Sequence, residues 1–262
     1  MTTFADGEKS LVGYVRQLTS TDLGPLESLL RSDPVSNCFL DARVRGAGLD
    51  PWRLGGDIWG YLDDDALHSV VYVGANLVPV GTTPASRAAL ADRLRMSPRR
   101  CSSFVGDREE VLDLWRLLEP AWGPAREVRD DQRLLVMDTD ANIPHDPQVR
   151  MATLADMDVL LPACVDMFTE EVGISPVRGG GGSAYRDRVA EIVRAGRSFV
   201  RIVDGRIEFK AEIGAATPDA CQVQGVWVAP ELRGQGMSVP AMASVIHLAR
   251  SAISPTVSLY VN

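Results

Sequence analysis

The chain has 262 residues, enough for two ordinary domains or one large one; 45% are hydrophobic and the mean hydropathy is near zero, which describes a globular protein with a real core. Its 35 acidic residues outnumber 27 basic ones, for a net charge of −8, and no basic run interrupts the sequence, so nucleic acid and anionic membranes are poor partners: neutralising phosphate takes clustered Lys and Arg. No apolar run approaches a membrane span and the segment "MTTFADGEKS" lacks the basic-then-apolar order of a signal peptide, so a cytoplasmic protein is expected.

In chain order, "DIWGYLDDDALHSVVYVGANLVPVG" predicts three short strands with a polar turn at Asp63–Asp65. A helix over about 84–95, a strand in "RCSSFVG", a helix over 107–118 and one or two strands in "REVRDDQRLLVMD" follow. "DANIPHDP" (140–147) is polar, carries two prolines and is read as the linker, giving domains at 1–142 and 147–262. In the second region "QVRMAT" reads as a strand whose Thr153 caps a helix over 155–171. The glycine run 179–182 suits neither a helix nor a strand interior, and a helix in "YRDRVAEIVRAG" ends at Gly196. "RSFVRIVDGRIEFKAEIGAAT" predicts a hairpin turning at Asp204-Gly205. "CQVQGVWVA" is the next strand, then a helix to about Arg250 and a last strand, "TVSLYV". The order β-α-α-β-β-β-α-β gives a mixed α+β fold. The first region begins on a similar plan without a visible sequence repeat, so a duplication is an open reading.

Cys38, Cys101, Cys164 and Cys221 are far apart and sit beside apolar residues, which reads as core; neither they nor His68, His145 and His247 have metal-ligand spacing. No metal is expected. Only Lys9 and Lys210 are lysines; every other basic residue is arginine.

The stretch that invites chemistry is "VQGVWVAPELRGQGMS" (223–238), where a strand runs through Arg233-Gly234-Gln235-Gly236 into an apolar helix. An ordinary surface turn is the plain reading. An anion site is the sharper one: first-turn N–H groups lack helical partners, the dipole favours negative charge, and Gly234 and Gly236 remove side chains where a phosphate would approach. Pro240 is tolerated so early in a helix. The loop lacks both G-x-x-x-x-G-K-[ST] and a full G-x-G-x-x-G, which argues against a triphosphate P-loop and a dinucleotide fold.

"VWVAPELRGQGMS" resembles the cofactor signature of the GNAT acetyltransferases, R/Q-x-x-G-x-G/A, with Arg233 at the first position, Gly236 at the glycine and Ser238 where glycine or alanine is usual. The resemblance covers about 148–262. Stretches such as "LDPWRLGG", "GANLVPVG" and "FTEEVGISP" are similar to two-domain actinobacterial GNAT proteins with an uncharacterised first domain, here expected to be a degenerate GNAT-like unit. The resemblance implies acetyl-CoA or another acyl-CoA as co-substrate. The backbone of Val226, Trp227 and Val228 would hold the pantetheine arm, and the loop of Arg233, Gly234, Gln235, Gly236, Met237 and Ser238 the pyrophosphate. "GANLVPVGTTPAS" offers no second such loop, so one cofactor site at most is expected. The family pattern continues past "SLYVN" with a helix and further strands that carry a tyrosine acid; the sequence stops at Asn262, and Tyr260 does not match that position.

Attack by an amine on the thioester needs a base. Alternation in "RIEFKAEIGA" puts Ile207, Phe209, Ala211 and Ile213 on one face and Glu208, Lys210 and Glu212 on the other. Glu212, nearest mid-sheet, is the candidate base, with a solvated strand face as the plain alternative. Glu170 and Glu171 end a helix beside the glycine run; Glu171 is the second catalytic candidate, against simple helix-end solvation, and the run itself is a lid or a disordered loop. The function expected is N-acetyl transfer from acetyl-CoA to an amine of a small molecule or protein, with a homodimer as a candidate assembly. The alternative is a non-catalytic acyl-CoA-binding regulatory protein.

Overall fold

The computed structural model describes residues 13–261; Lys9 and the amino-terminal segment read for a signal peptide lie outside them. Two compact units divide between Asp131 and Gln132. Among the described residues no helix is long and apolar enough to cross a membrane.

The first unit runs β1 (Tyr14–Gln17), α1 (Leu23–Leu30), α2 (Cys38–Ala47), α3 (Pro51–Leu54), β2 (Asp57–Asp63), β3 (Ala66–Val73), β4 (Asn76–Val80), α4 (Pro84–Arg95), β5 (Ser103–Phe104) and α5 (Arg108–Trp122). Its sheet has the order β1-β2-β3-β4-β5, antiparallel except for the parallel β4–β5 pair that α4 connects. The run Val70-Val71-Tyr72-Val73 explains the two-sided core. Alternate residues of a strand face opposite ways, so Val70 and Tyr72 pack with α1 and α2 residues Leu26, Leu30, Leu40 and Val44, while Val71 and Val73 pack with Leu90, Leu94, Leu114 and Leu118 of α4 and α5.

The second unit runs β6 (Leu134–Met137), β7 (Val149–Met151), α6 (Met157–Val172), α7 (Gly182–Arg194), β8 (Ser198–Val203), β9 (Arg206–Ala216), β10 (Ala220–Val228), α8 (Ser238–Ala252) and β11 (Thr256–Tyr260). The sheet order is β6-β11-β10-β9-β8-β7. Helices α6 and α7 cover one face, meeting Val200, Ile207 and Trp227; α8 covers the other, meeting Phe199, Phe209, Ala211, Ile213 and Val257. Asp204 and Gly205 take the left-handed φ values (49° and 72°) that the β8–β9 hairpin turn requires.

Three expectations change. The strand in "RLLVMD" is β6, which pairs antiparallel with β11 in the second sheet, so the units divide before it rather than at residues 140–147. Ile207 does not share a face with Phe209: a register shift in the β8–β9 ladder between Arg201 and Ile202 rotates it onto the α6 side. Lys210 is not on a solvated face but wholly buried. The four cysteines are all buried. The glycine run forms a short 3₁₀ turn at Arg178–Gly180, and α7 starts at its last member.

The two units share a device that the sequence hides. Arg16, Thr19 and Asp22 have the same spacing as Arg150, Thr153 and Asp156, while none of the four residues between them matches. In each unit the arginine donates to both carboxylate oxygens, at 2.7 Å to Asp22 and 2.8 Å to Asp156. The same aspartate accepts the threonine N–H at 2.7 Å. The device ties β1 to the start of α1 and β7 to the start of α6, and satisfies an otherwise orphaned helix-start donor.

Arg16 beside Asp22, and Arg150 beside Asp156, hold both carboxyls well below the usual carboxylate range. A depressed carboxyl contributes stability that is fully present above the unfolded value, about 4, and is lost as pH falls through the folded one. Asp156→Ala should therefore cost about 1–2 kcal/mol at neutral pH, the size of a lost cap, because Arg150 is half exposed and its ion pair adds little. Urea denaturation should show this deficit shrinking as the pH falls from about 4 towards 2. A deficit independent of pH would mean that the carboxylate charge plays no part.

Candidate functional site

The site is built on a fault in β10. Gln224 pairs with Glu212 and Trp227 with Lys210, so Gly225 and Val226 together stand opposite Ala211. An extra residue of this kind bends the strand and favours a left-handed backbone at its first position. Gly225 has φ +57°, and a Cβ there would lie 3.1 Å from Met167 Sδ and 3.3 Å from Glu212 Cδ, so the position suits only glycine.

After the bulge, Val226 to Val228 lead through a 3₁₀ turn at Pro230–Leu232 into the loop and then α8. Gly234 and Gly236 have φ of +74° and +76°, with open space where a Cβ would stand. Met237, the cap residue of α8, makes no side-chain bond to the helix start, and Pro240 sits in its first turn. Of the first four residues of this 15-residue helix, Pro240 has no N–H, and Val239 and Ala241 donate to the Gly236 and Met237 carbonyls at 3.3 Å, which leaves the N–H of Ser238 at the positive end of the helix dipole.

Of the residues read as the cofactor site, Val226, Trp227, Val228, Arg233, Gly234, Gly236, Met237 and Ser238 line one cleft of about 320 Å³. Gln235 does not; its side-chain amide donates to the Glu231 carbonyl at 3.0 Å. Met167, Glu170, Glu171 and Leu232 complete the walls. Of the two catalytic candidates, only Glu171 lines this cleft, whereas Glu212 flanks the bulge behind Gly225.

Arg233 is tied on both sides. Its Nε donates to the Val228 carbonyl at 2.9 Å, and its terminal nitrogen to Glu170 Oε2 at 2.8 Å. The Trp227 indole N–H reaches Glu170 Oε1 at 3.4 Å, and the guanidinium lies 6.0 Å from the Trp227 ring centre. Both charged side chains of the pair are nearly half exposed, so the pair contributes about 1 kcal/mol at most.

Behind the bulge, Glu212 accepts from the Gln224 amide at 3.0 Å and lies 3.6 Å from Lys210 Nζ. The Tyr185 hydroxyl donates to the Cys164 carbonyl at 3.0 Å. Burial pushes the Cys164 thiol up to about 11 and raises the Tyr185 phenol too, so both stay protonated at neutral pH. Among the described residues no group of three or more His, Cys, Asp or Glu is arranged to hold a metal ion.

Sequence reasoning passed over Gly225 and Met167, and placed Lys210 on a strand face without foreseeing its burial. Gly225 was discoverable, because a glycine inside an apolar strand run signals a bulge or a close approach. Nothing in the pattern distinguishes Met167 from other core residues of α6. The corresponding strand–helix junction of the first unit, between β4 and α4, is built differently. Thr83 and Ser86 cap the helix start reciprocally, and the buried Arg87 bonds the Thr82 carbonyl at 2.9 Å while pairing with Glu109 and Asp113.

A family model described as a domain of unknown function, DUF4081, matches residues 56–160, less than half of the chain and across the division between the units. No curated protein matches the sequence. Among solved structures, a GCN5-related N-acetyltransferase from Sphaerobacter thermophilus superposes with a TM-score of 0.58 at 15% identity, over 95% of this chain and 86% of that one. A Drosophila protein does so with a TM-score of 0.58 at 13% identity, over 95% and 89%. A GNAT-family acetyltransferase from Colwellia psychrerythraea aligns at 13% identity over 94% and 89%, with a TM-score of 0.48. With its mixed sheets, its bulged strand and its glycine loop before a helix, the chain has the fold of the GNAT acetyltransferases.

Proposed function

We propose that the second unit binds acetyl-CoA and transfers its acetyl group to an amine of a small molecule or protein. The observation that carries this reading is the single cleft joining the bulged half of β10 to the open Gly234 and Gly236 backbone and the start of α8. Glycines with free space above them fit an anion that must approach the main chain closely. Val226, Trp227 and Val228 would hold the pantetheine arm, and the N–H groups from Arg233 to Ser238 the pyrophosphate.

Bound acetyl-CoA would supply an activated acyl carbon, a thioester open to nucleophiles. The residues of the chain then do two things. Backbone N–H groups at the bulge would stabilise the negative charge that builds on the acyl oxygen. Glu212, held by Gln224 and Lys210, takes the proton that the amine nitrogen must lose, directly or through one water. The N–C bond would form as the C–S bond breaks, the bonding pair leaving with the CoA sulfur as a thiolate. Glu171, on the cleft wall, offers a charge partner for a cationic acceptor.

Calorimetry with acetyl-CoA tests the cofactor half of this reading. The wild type should bind, and Gly236→Glu should weaken binding at least about 100-fold, because a carboxylate enters the phosphate position on a strained backbone. Absence of acetyl-CoA binding by the wild type would sink the proposal. For the chemical half, Glu212→Gln should lower kcat by about 10²–10⁴ on any amine that the wild type acetylates. Tight binding without turnover across a broad amine panel would favour a non-catalytic acyl-CoA-binding protein instead.

A further inference from the structure

Lys210 is the only lysine among the described residues, and its side chain is 0% exposed. A buried ammonium costs several kcal/mol unless its donors are met. Three acceptors surround this one: the Gly225 carbonyl at 3.0 Å, Met167 Sδ at 3.1 Å and Glu212 Oε2 at 3.6 Å. Every other basic side chain among the described residues is arginine, apart from the histidines. A planar guanidinium needs more room than a point-like ammonium, and this position lies between a strand, a helix and a bulge.

The contact with Gly225 matters most. Gly225 has left the β9–β10 register, and its carbonyl is met by the ammonium of the residue paired with Trp227. In a trans peptide the carbonyl of one residue and the N–H of the next point in opposite directions. Fixing the Gly225 oxygen towards Lys210 therefore fixes the Val226 N–H away from it. Val226 lines the cleft.

We propose that Lys210 is a positioning residue of the acyl-CoA site: by holding the Gly225 carbonyl it sets the peptide whose N–H meets the acyl-pantetheine end of the ligand. The proposal rests on the acetyl-CoA reading above. It assigns Lys210 to one end of the cleft and leaves the pyrophosphate end, at Arg233 to Ser238, independent of it.

That division can be measured. Acetyl-CoA reports on both ends, and 3′-phospho-ADP, which lacks the pantetheine arm, reports on the pyrophosphate end alone. Lys210→Met, of similar length without the charge, should raise the Kd for acetyl-CoA at least tenfold and change that for 3′-phospho-ADP by less than threefold. The double variant Lys210→Met with Glu212→Gln leaves no buried charge unpaired, which protects the fold, and should show the same selective loss. Equal weakening of both ligands would make Lys210 a purely structural residue, and no change in either would remove it from the site; both results overturn the proposal. A wild type that binds neither ligand would overturn the acetyl-CoA reading and this inference with it. A wild type that binds both, without selective loss in the variants, sinks the Lys210 inference alone.

Discussion

The second unit depends on how β10 divides its hydrogen bonds. Its first half is a central strand, parallel to β11 as far as Val223 and Leu259 and antiparallel to β9, where the register already slips by one residue at Gly214, between the Gln222–Ala215 and Val223–Ile213 pairs. There the pairing with β11 ends, and two residues later, at Gly225, the pairing with β9 breaks register a second time. Val226 to Val228 are thus a strand with one flank turned to the cleft rather than to a neighbour. Main-chain groups in a partly buried place need partners, and a flank of this kind is suited to a ligand with polar groups spaced along an extended arm. The parallel crossover through α8 sets the other end, because it brings a helix start to the strand's carboxyl end.

Much of the architecture was legible in the sequence because its signals are local. The helix over 84–95 follows from its Thr-Pro start, and the β8–β9 hairpin from Asp204-Gly205. Eight of the residues read as the cofactor site, three from β10 and five from the loop and the start of α8, line one cleft. What was hidden is what depends on long-range partners. Nothing within "RLLVMD" says that it will pair with β11 rather than with the strands before it. Alternation misplaced Ile207 because one bulge reverses the parity of everything on its far side. Lys210 carried a charge that suggested solvent, and only its three acceptors make burial tolerable.

The paired clasps give the duplication reading a physical footing. An arginine, a threonine and an aspartate at fixed spacing close the same strand–helix junction in each unit, with all intervening residues different. Such a junction tolerates drift in every residue except those that satisfy its donors. Both units also connect parallel strands through one helix, β4 to β5 and β10 to β11. They diverge at the start of that helix. In the first unit side chains fill it, with a reciprocal Thr83–Ser86 cap and a buried guanidinium behind. In the second, glycines keep it bare.

That contrast bears on how an acidic protein would admit a polyanion. A net charge of −8 works against phosphate at long range, so the attraction has to be local and made within about a Debye length. On the proposed reading the start of α8 and Arg233 would supply it, and Glu170 holds the same guanidinium from the helix opposite. Because both partners of that pair stand nearly half in water, breaking it costs little compared with two or three charge-assisted hydrogen bonds to a phosphate. Glu170 would then turn from a partner of Arg233 into a carboxylate on the cleft wall beside Glu171, where a cationic amine would have the most to gain. If the cleft takes a phosphate as proposed, the exposed Arg233–Glu170 pair would hold the guanidinium in place at little cost to that affinity.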